Sequence, residues 1–204
     1  MTRQFGSQRL EARKARLERH AAETDPEIVL NAAARFLEVR SRSVVEVRRH
    51  LAAAAFQPSL VEAALARLIE LGMLDDHEFA AAWIESRDRA RPRGQSALSR
   101  ELALKGIDRE SVAAALEERN AAARDRAADG DYGAPGRFPD SPVGADEAAA
   151  ERLLAKSRSA LLRVQDDRAR RQRAYALLAR KGFDPEVCRV VSARFTSAES
   201  EPDD

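Results

Sequence analysis

The chain has a single cysteine, Cys188, in 204 residues, so an internal disulfide is excluded. Long apolar runs are missing as well. None approaches the roughly 18 residues that a membrane-spanning helix needs, and the basic start MTRQFGSQRLEARKARLERH leads into no apolar secretory core. These absences make a cytoplasmic protein with no membrane partner the expectation. Glycine is sparse, and Gly130, Gly133 and Gly136 stand in a proline-bearing stretch rather than between a strand and a helix. No phosphate-cradling loop, and no cofactor held by one, is expected. His20, His50 and His77 fall on different predicted helices, far from Cys188 in sequence, a spacing that offers no metal site. Asp75, Asp76 and Glu78 form one local carboxylate cluster, but they occupy a first helical turn, where free N–H groups and the dipole favour acids as caps. No catalytic, metal or cofactor residue is therefore assigned, and a non-enzymatic protein is expected.

What the chain does have points to helices. Aromatic residues make up 5%, against 44% hydrophobic and 34% charged, with abundant alanine, leucine, arginine and glutamate. That mixture favours amphipathic helices over a sheet core, and the expected fold class is all-α. Asp25-Pro26-Glu27 has the cap and first-turn proline of a helix reaching about Arg40. Ser43 to Glu46 has capping-box spacing and opens a second helix, with Val44, Val47 and Leu51 toward the core. Gln57-Pro58 opens a third, whose stripe is Leu60, Val61, Ala64, Leu65, Leu68 and Ile69, ending at Gly72. After Asp75, the residues Phe79, Ala80, Ala82 and Trp83 are expected to form a buried face, with Trp83 and Phe79 as core rather than as a base-stacking platform.

The chain also repeats its own punctuation. LALKGIDRESVAAAL at 102–116 matches LLARKGFDPEVCRVV at 177–191. The pairs Leu51 and Phe56, Leu102 and Ile107, and Leu178 and Phe183 have one separation, with Ala55, Gly106 or Gly182 before the second member. A short helix follows each, capped by Gln57, Asp108 or Asp184 and carrying Val61, Val112 or Cys188 inward. Three tandem three-helix repeats result, over 25–73, 74–119 and 146–196. The repeat starts are 51 residues apart, then 76, and the surplus falls in 120–145, expected as a flexible Gly/Pro/Asp-rich linker. Residues 1–24 form a basic N-terminal extension expected to be loosely ordered, or a surface helix over 8–22, and 197–204 form an acidic tail.

The formal net charge of +1 hides an asymmetry: residues 152–181 hold ten Lys/Arg against Asp166 and Asp167, and 184–204 hold six acids against Arg189 and Arg194. A basic third repeat suits a polyanionic or acidic partner. The arginines are the expected contact groups, because guanidinium pairs bidentately with phosphate or carboxylate. Arg87, Arg89, Arg91 and Arg93 flank the break made by Pro92 and Gly94 and can fan across a loop. Arg163, Arg168, Arg170, Arg171, Arg173 and Arg180 make a second basic surface, and Arg100, Lys105 and Lys181 are counted with these two groups.

The stretch from SVVEVRRHL through LGMLDDHEFAAAWIESRDRARPRGQ to LALKGIDRESVAAAL resembles the RecX family of bacterial recombination regulators, and RRQRAYALLARKGFDPEVCRVV resembles its last repeat. The telling residues are Leu74-Asp75-Asp76, Phe79-Ala80 and Trp83, followed by the arginine run and the Lys105-Gly106-Ile107 step. The resemblance implies three three-helix units in an elongated, curved body. It also implies binding to the RecA recombinase filament on single-stranded DNA, with inhibition of its ATPase, strand-exchange and co-protease activities. A monomer touching DNA directly or through the filament is expected. Two other readings stay open: a direct DNA binder with helix-turn-helix-like units, and a helical-repeat adaptor for another protein.

Overall fold

The computed structural model describes residues 2–128 and 144–198. Ten helices and no strand occur among them: α1 (Thr2–Ala21), α2 (Pro26–Leu37), α3 (Val44–Ala53), α4 (Pro58–Glu70), α5 (Asp76–Ala90), α6 (Gln95–Leu104), α7 (Arg109–Ala128), α8 (Ala145–Leu161), α9 (Asp167–Arg180) and α10 (Pro185–Ala198). They fall into three successive triplets, α2–α4, α5–α7 and α8–α10. Among the described residues two compact bodies are built from these, one of 2–79 with 105–107 and the other of 80–104 with 108–128 and 144–198.

The first body is organised around α4. Val61, Ala64, Leu65 and Leu68 meet Val29 and Ala33 of α2 and Val47 and Leu51 of α3, with Phe56 and Leu74 closing the core. Full burial of side chains of this size contributes about 2 kcal/mol each. Ile69, expected on the stripe, is half-exposed; the apolar arc is narrower than the sequence pattern because α2 and α3 cover only one side of α4. Asp25 caps α2 by accepting from Glu27 N at 2.9 Å. Gln57 does not cap α4; its Nε2 donates instead to Glu23 O at 2.8 Å and to Ala21 O at 3.4 Å, fastening the end of α1. The N-terminal extension is thus helical rather than loose, as the surface-helix alternative expected.

The start of α3 is held by several bonds at once. Buried Ser43 accepts from Glu46 N at 3.2 Å and donates its own hydroxyl to Lys105 O at 2.7 Å. Asp76 accepts from Val44 N at 2.9 Å, and Gly106 lies so close to Val45 that an added Cβ would be 2.5 Å from its side chain. Glu46 does not complete the reciprocal capping box. Its carboxylate takes two bonds from Arg40, both 3.2 Å, and one from Lys105 at 2.7 Å.

In the second body α8, α9 and α10 enclose Ala149, Ala150, Leu154, Leu161, Ala174, Leu178, Phe183, Cys188, Val191 and Phe195. Cys188 is the small core residue its alignment with Val61 and Val112 indicates, its Sγ donating to Phe183 O at 3.6 Å. Ala80, Ile84, Leu98, Leu102, Val112, Ala115 and Leu116 are buried in the same body. Ala82, expected to be buried, is exposed, and Ile84 takes the inward position. The expected linker begins later than 120, because α7 continues to Ala128; residues 129–143 lie outside the described residues. α10 likewise carries through Ala198, and 199–204 lie outside them.

The repeated turn is common to both bodies. Ala55, Gly106 and Gly182 all take left-handed backbone, with φ of 67°, 84° and 81°. Glycine adopts that conformation freely, whereas an L-residue such as Ala55 pays on the order of 1 kcal/mol for it.

Candidate functional site

The arginines expected to fan outward after Trp83 are partly turned inward. Glu101 of α6 collects them: its Oε2 accepts from Arg87 Nε at 2.7 Å and from Trp83 Nε1 at 3.1 Å, and its Oε1 lies 3.5 Å from Arg93 Nε. The Arg87 guanidinium also lies over the Trp83 ring, 4.1 Å from its centroid. Burial pushes the Glu101 carboxyl up, but the bonds from Arg87 and Trp83 and the charges of Arg87 and Arg93 outweigh it and hold the group below its usual range. Trp83 is therefore half-buried at the edge of the fold rather than in its core. Indole and guanidinium share one carboxylate, so Trp83 and Arg87 brace α5 against α6, and Arg93 ties the connecting loop to the same acid.

Several other expected contact residues are also engaged. Arg89 pairs with Glu85 one turn away at 2.5 Å, and Lys105 is the partner of Glu46. Arg170 is buried, donating to Val164 O at 3.3 Å and to the Asp167 carboxylate, which corrects its place on an outer surface. Position 170 falls on the buried i, i+4, i+8 stripe with Ala174 and Leu178, and there the α8–α9 loop carbonyl and Asp167 receive the guanidinium. Arg100 is exposed but bonds Ser96 O of its own helix at 3.1 Å.

A set of cations remains available. Arg163, Arg168, Arg171, Arg173 and Arg180 are exposed, and no ion pair to any of them occurs among the described residues. Arg91 shares that state. Tyr175, 37% exposed, stands one turn from Arg171 and two from Arg168 on the same side of α9. The loop holding Arg91 and Arg93 meets the end of α9, where Arg180 and Lys181 stand: Gly94 N donates to Lys181 O at 3.1 Å. Gly94 fits only without a side chain, since a Cβ there would be 2.2 Å from Gly182 O.

The same body holds a charged hub with no signal in the sequence. Arg119 of α7, 8% exposed, donates to Asp88 at 2.8 and 3.0 Å, to Asp146 at 2.6 Å and to Ala145 O at 3.4 Å. Asp146 also accepts from Gln95 N at 3.0 Å, capping α6. Burial opposes the Arg119 charge, but the two aspartates raise its pKa regardless. Arg119 and Asp88 line a cavity of about 990 Å³ walled largely by alanines of α5, α7 and α8. Its polar lining is largely tied up, Arg89 with Glu85, Arg119 with Asp88, and Lys156 with Arg89 O and Ala90 O.

No group of three or more His, Cys, Asp or Glu able to hold a metal occurs among the described residues, and no described helix is long and apolar enough to cross a membrane. The arrangement offers guanidinium donors on a rigid helical surface, suited to binding an anionic partner.

Comparison with known proteins fits this frame. Residues 30–68, 75–116 and 145–191 match the family models of the first, second and third RecX three-helix domains. Regulatory protein RecX of Mycolicibacterium vanbaalenii is 30% identical over 155 residues, covering 74% of this chain and 72% of that one. The chain belongs to the RecX family. Regulatory protein RecX of Mycobacterium ulcerans is 29% identical over 164 residues, covering 80% of this chain and 82% of that one. The crystal structure of RecX from Lactobacillus salivarius has the same fold, with a TM-score of 0.65 at 16% identity, over 83% of this chain and 96% of that one. The three-helix repeats expected from the sequence are thus those of the RecX family, and membership carries a regulatory role of the RecX kind.

Proposed function

We propose that this protein is a non-enzymatic regulator of the RecA recombinase. It acts as a monomer in the cytoplasm, binding the RecA filament on single-stranded DNA and inhibiting its ATPase, recombinase and co-protease activities, and so moderating DNA repair and recombination. Within the family, the observation that carries this reading to particular residues is the exposed arc of α9, with Arg168 and Arg171 on one side of it and Arg173 and Arg180 on the other. There Arg168, Arg171, Arg173 and Arg180 remain exposed without an ion pair among the described residues, while other arginines of the same body are consumed by Glu101, Asp88 and Asp146. Guanidinium groups left unpaired on a rigid helix are preorganised for phosphate or carboxylate on a filament. Arg163, in the α8–α9 loop, and Arg91, in the α5–α6 loop, are exposed in the same way. The three-helix repeats themselves (25–73, 74–119 and 146–196) are proposed as the units along which contacts are spread.

The test is the single-stranded-DNA-dependent ATPase of the cognate RecA with this protein titrated in below the recombinase concentration. A fall in rate at substoichiometric ratios is expected. An unchanged rate at every ratio, with the DNA still coated by recombinase, overturns the reading and favours the helical-repeat adaptor.

A further inference from the structure

α1 precedes every segment matched by the family, which begins at residue 30. Its C-terminal end is fastened to the first body. The His20 ring stacks on Phe56 at 4.2 Å, its Nδ1 donates to Ala54 O at 2.9 Å, and Gln57 holds the carbonyls of Ala21 and Glu23. From residue 8 to 19 only Leu17 is even partly covered. A helix with so little packing gains almost no stability from burial, which is the usual source of helix stability in proteins.

Its charges are sorted by face. At 100° per residue, Arg9, Arg13 and Arg16 recur at i, i+4 and i+7 on one side, while Glu11 and Glu18 fall on the other, where Lys14 pairs with Glu18 at 3.7 Å. None of the three arginines has an ion pair among the described residues. The row also leads onto the first body. Arg16 is one turn before His20, and His50 is one turn before Ala54, the residue His20 holds, so Arg16 comes to the side of His50. There the His50 ring stacks on Phe36 at 3.8 Å, and Arg42 covers the same ring at 4.1 Å with its Nε buried and unpartnered. Burial lowers the His50 pKa, and the charges of Arg42 and Arg16 lower it further, as expected where cations converge without an acid.

We propose that α1 is a DNA-binding arm, in which the row Arg9, Arg13 and Arg16, continued by Arg42, takes the phosphodiester backbone without regard to sequence. The row spans about 10 Å at 1.5 Å per residue, matching about three phosphates at the spacing of a single DNA strand. The face opposite the row is acidic rather than apolar, which does not suit insertion at a membrane surface. This inference deepens the filament reading by adding a contact to the DNA itself, and it takes the identity of the polyanion from that reading.

The experiment is fluorescence anisotropy of the full-length protein with a labelled single-stranded oligonucleotide across a salt series. The variant Arg9→Ala/Arg13→Ala/Arg16→Ala keeps helix propensity while removing the row. Its affinity is expected to fall on the order of tenfold, and its salt slope to flatten by about 2, since each lost phosphate contact removes about 0.7. Unchanged affinity and slope overturn the proposal, as does a wild-type protein with no affinity for naked DNA. Weaker inhibition of the recombinase ATPase with naked-DNA binding intact assigns the row to the protein part of the filament and also overturns it. An arm-dependent affinity in a protein that leaves the ATPase untouched upholds the arm and removes the filament reading.

Discussion

The arginines after Trp83 and those of α9 come from comparably basic stretches, yet Arg87 and Arg93 converge on Glu101 while Arg168, Arg171, Arg173 and Arg180 stay exposed with no ion pair among the described residues. The difference lies in the acids that other helices present. α6 offers Glu101 to the first set, and Asp88 and Asp146 take Arg119, whereas in α9 only Arg170 finds a carboxylate among the described residues. Positive charge available to a partner is what remains after the fold has used its share. One set of arginines is expected to carry stability and the other to carry binding.

The sharpest way to break this division is Arg119→Ala. It strands Asp88 and Asp146 as poorly solvated carboxylates, and an unfolding cost of about 3–5 kcal/mol is expected by urea titration. A cost under about 1 kcal/mol would show the hub to be decorative. The next largest effect is that of Glu46, the acid that plays in the first body the part Glu101 plays in the second. Burial opposes its charge, but bonds from Arg40 and Lys105 bring its pKa from the usual 4.5 down to about 2. A carboxyl depressed on folding contributes stability above its unfolded pKa and loses it as pH falls through the folded one. The shift corresponds to on the order of 3 kcal/mol, present above about pH 4.5 and lost toward pH 2. Glu46→Gln is expected to flatten the stability profile across that window, as followed by chemical unfolding at successive pH values.

Trp83→Ala tests whether the indole belongs with the scaffold. A half-buried ring with one hydrogen bond to Glu101 is expected to cost about 2 kcal/mol, less than the 3–5 kcal/mol of a fully buried aromatic. A loss in that upper range would return Trp83 to the core. The smallest effect has the opposite sign. Ala55→Gly relieves the left-handed backbone at the first of the three equivalent turns and is expected to stabilise by about 1 kcal/mol, seen as a higher Tm.

Local features were legible in the sequence. Asp25, Ser43, Asp75 and Asp108 cap the helices they precede, because a cap depends on residues two or three positions away. The repeated turn was visible for the same reason, even with alanine at position 55. Tertiary roles were not. Asp76 appears beside Asp75 as one more first-turn acid, yet it bonds the start of α3, and nothing near Arg119 announces that Asp88 and Asp146 will meet it. The site was half legible for this reason. The sequence shows where arginines are dense, but which of them are neutralised depends on acids 14 to 31 residues away, such as Glu101 for Arg87 and Asp88 for Arg119.

The most direct test of the division is to reverse charge on α9 alone, with Arg168→Glu/Arg171→Glu, and to measure inhibition of the single-stranded-DNA-dependent RecA ATPase beside the Tm. Both side chains are exposed, so a change of stability within about 0.5 kcal/mol is expected. Inhibition is expected to need on the order of tenfold more protein, the loss of about 1.4 kcal/mol of binding. Wild-type inhibition by a fully folded variant would contradict the account and move the contact surface away from α9.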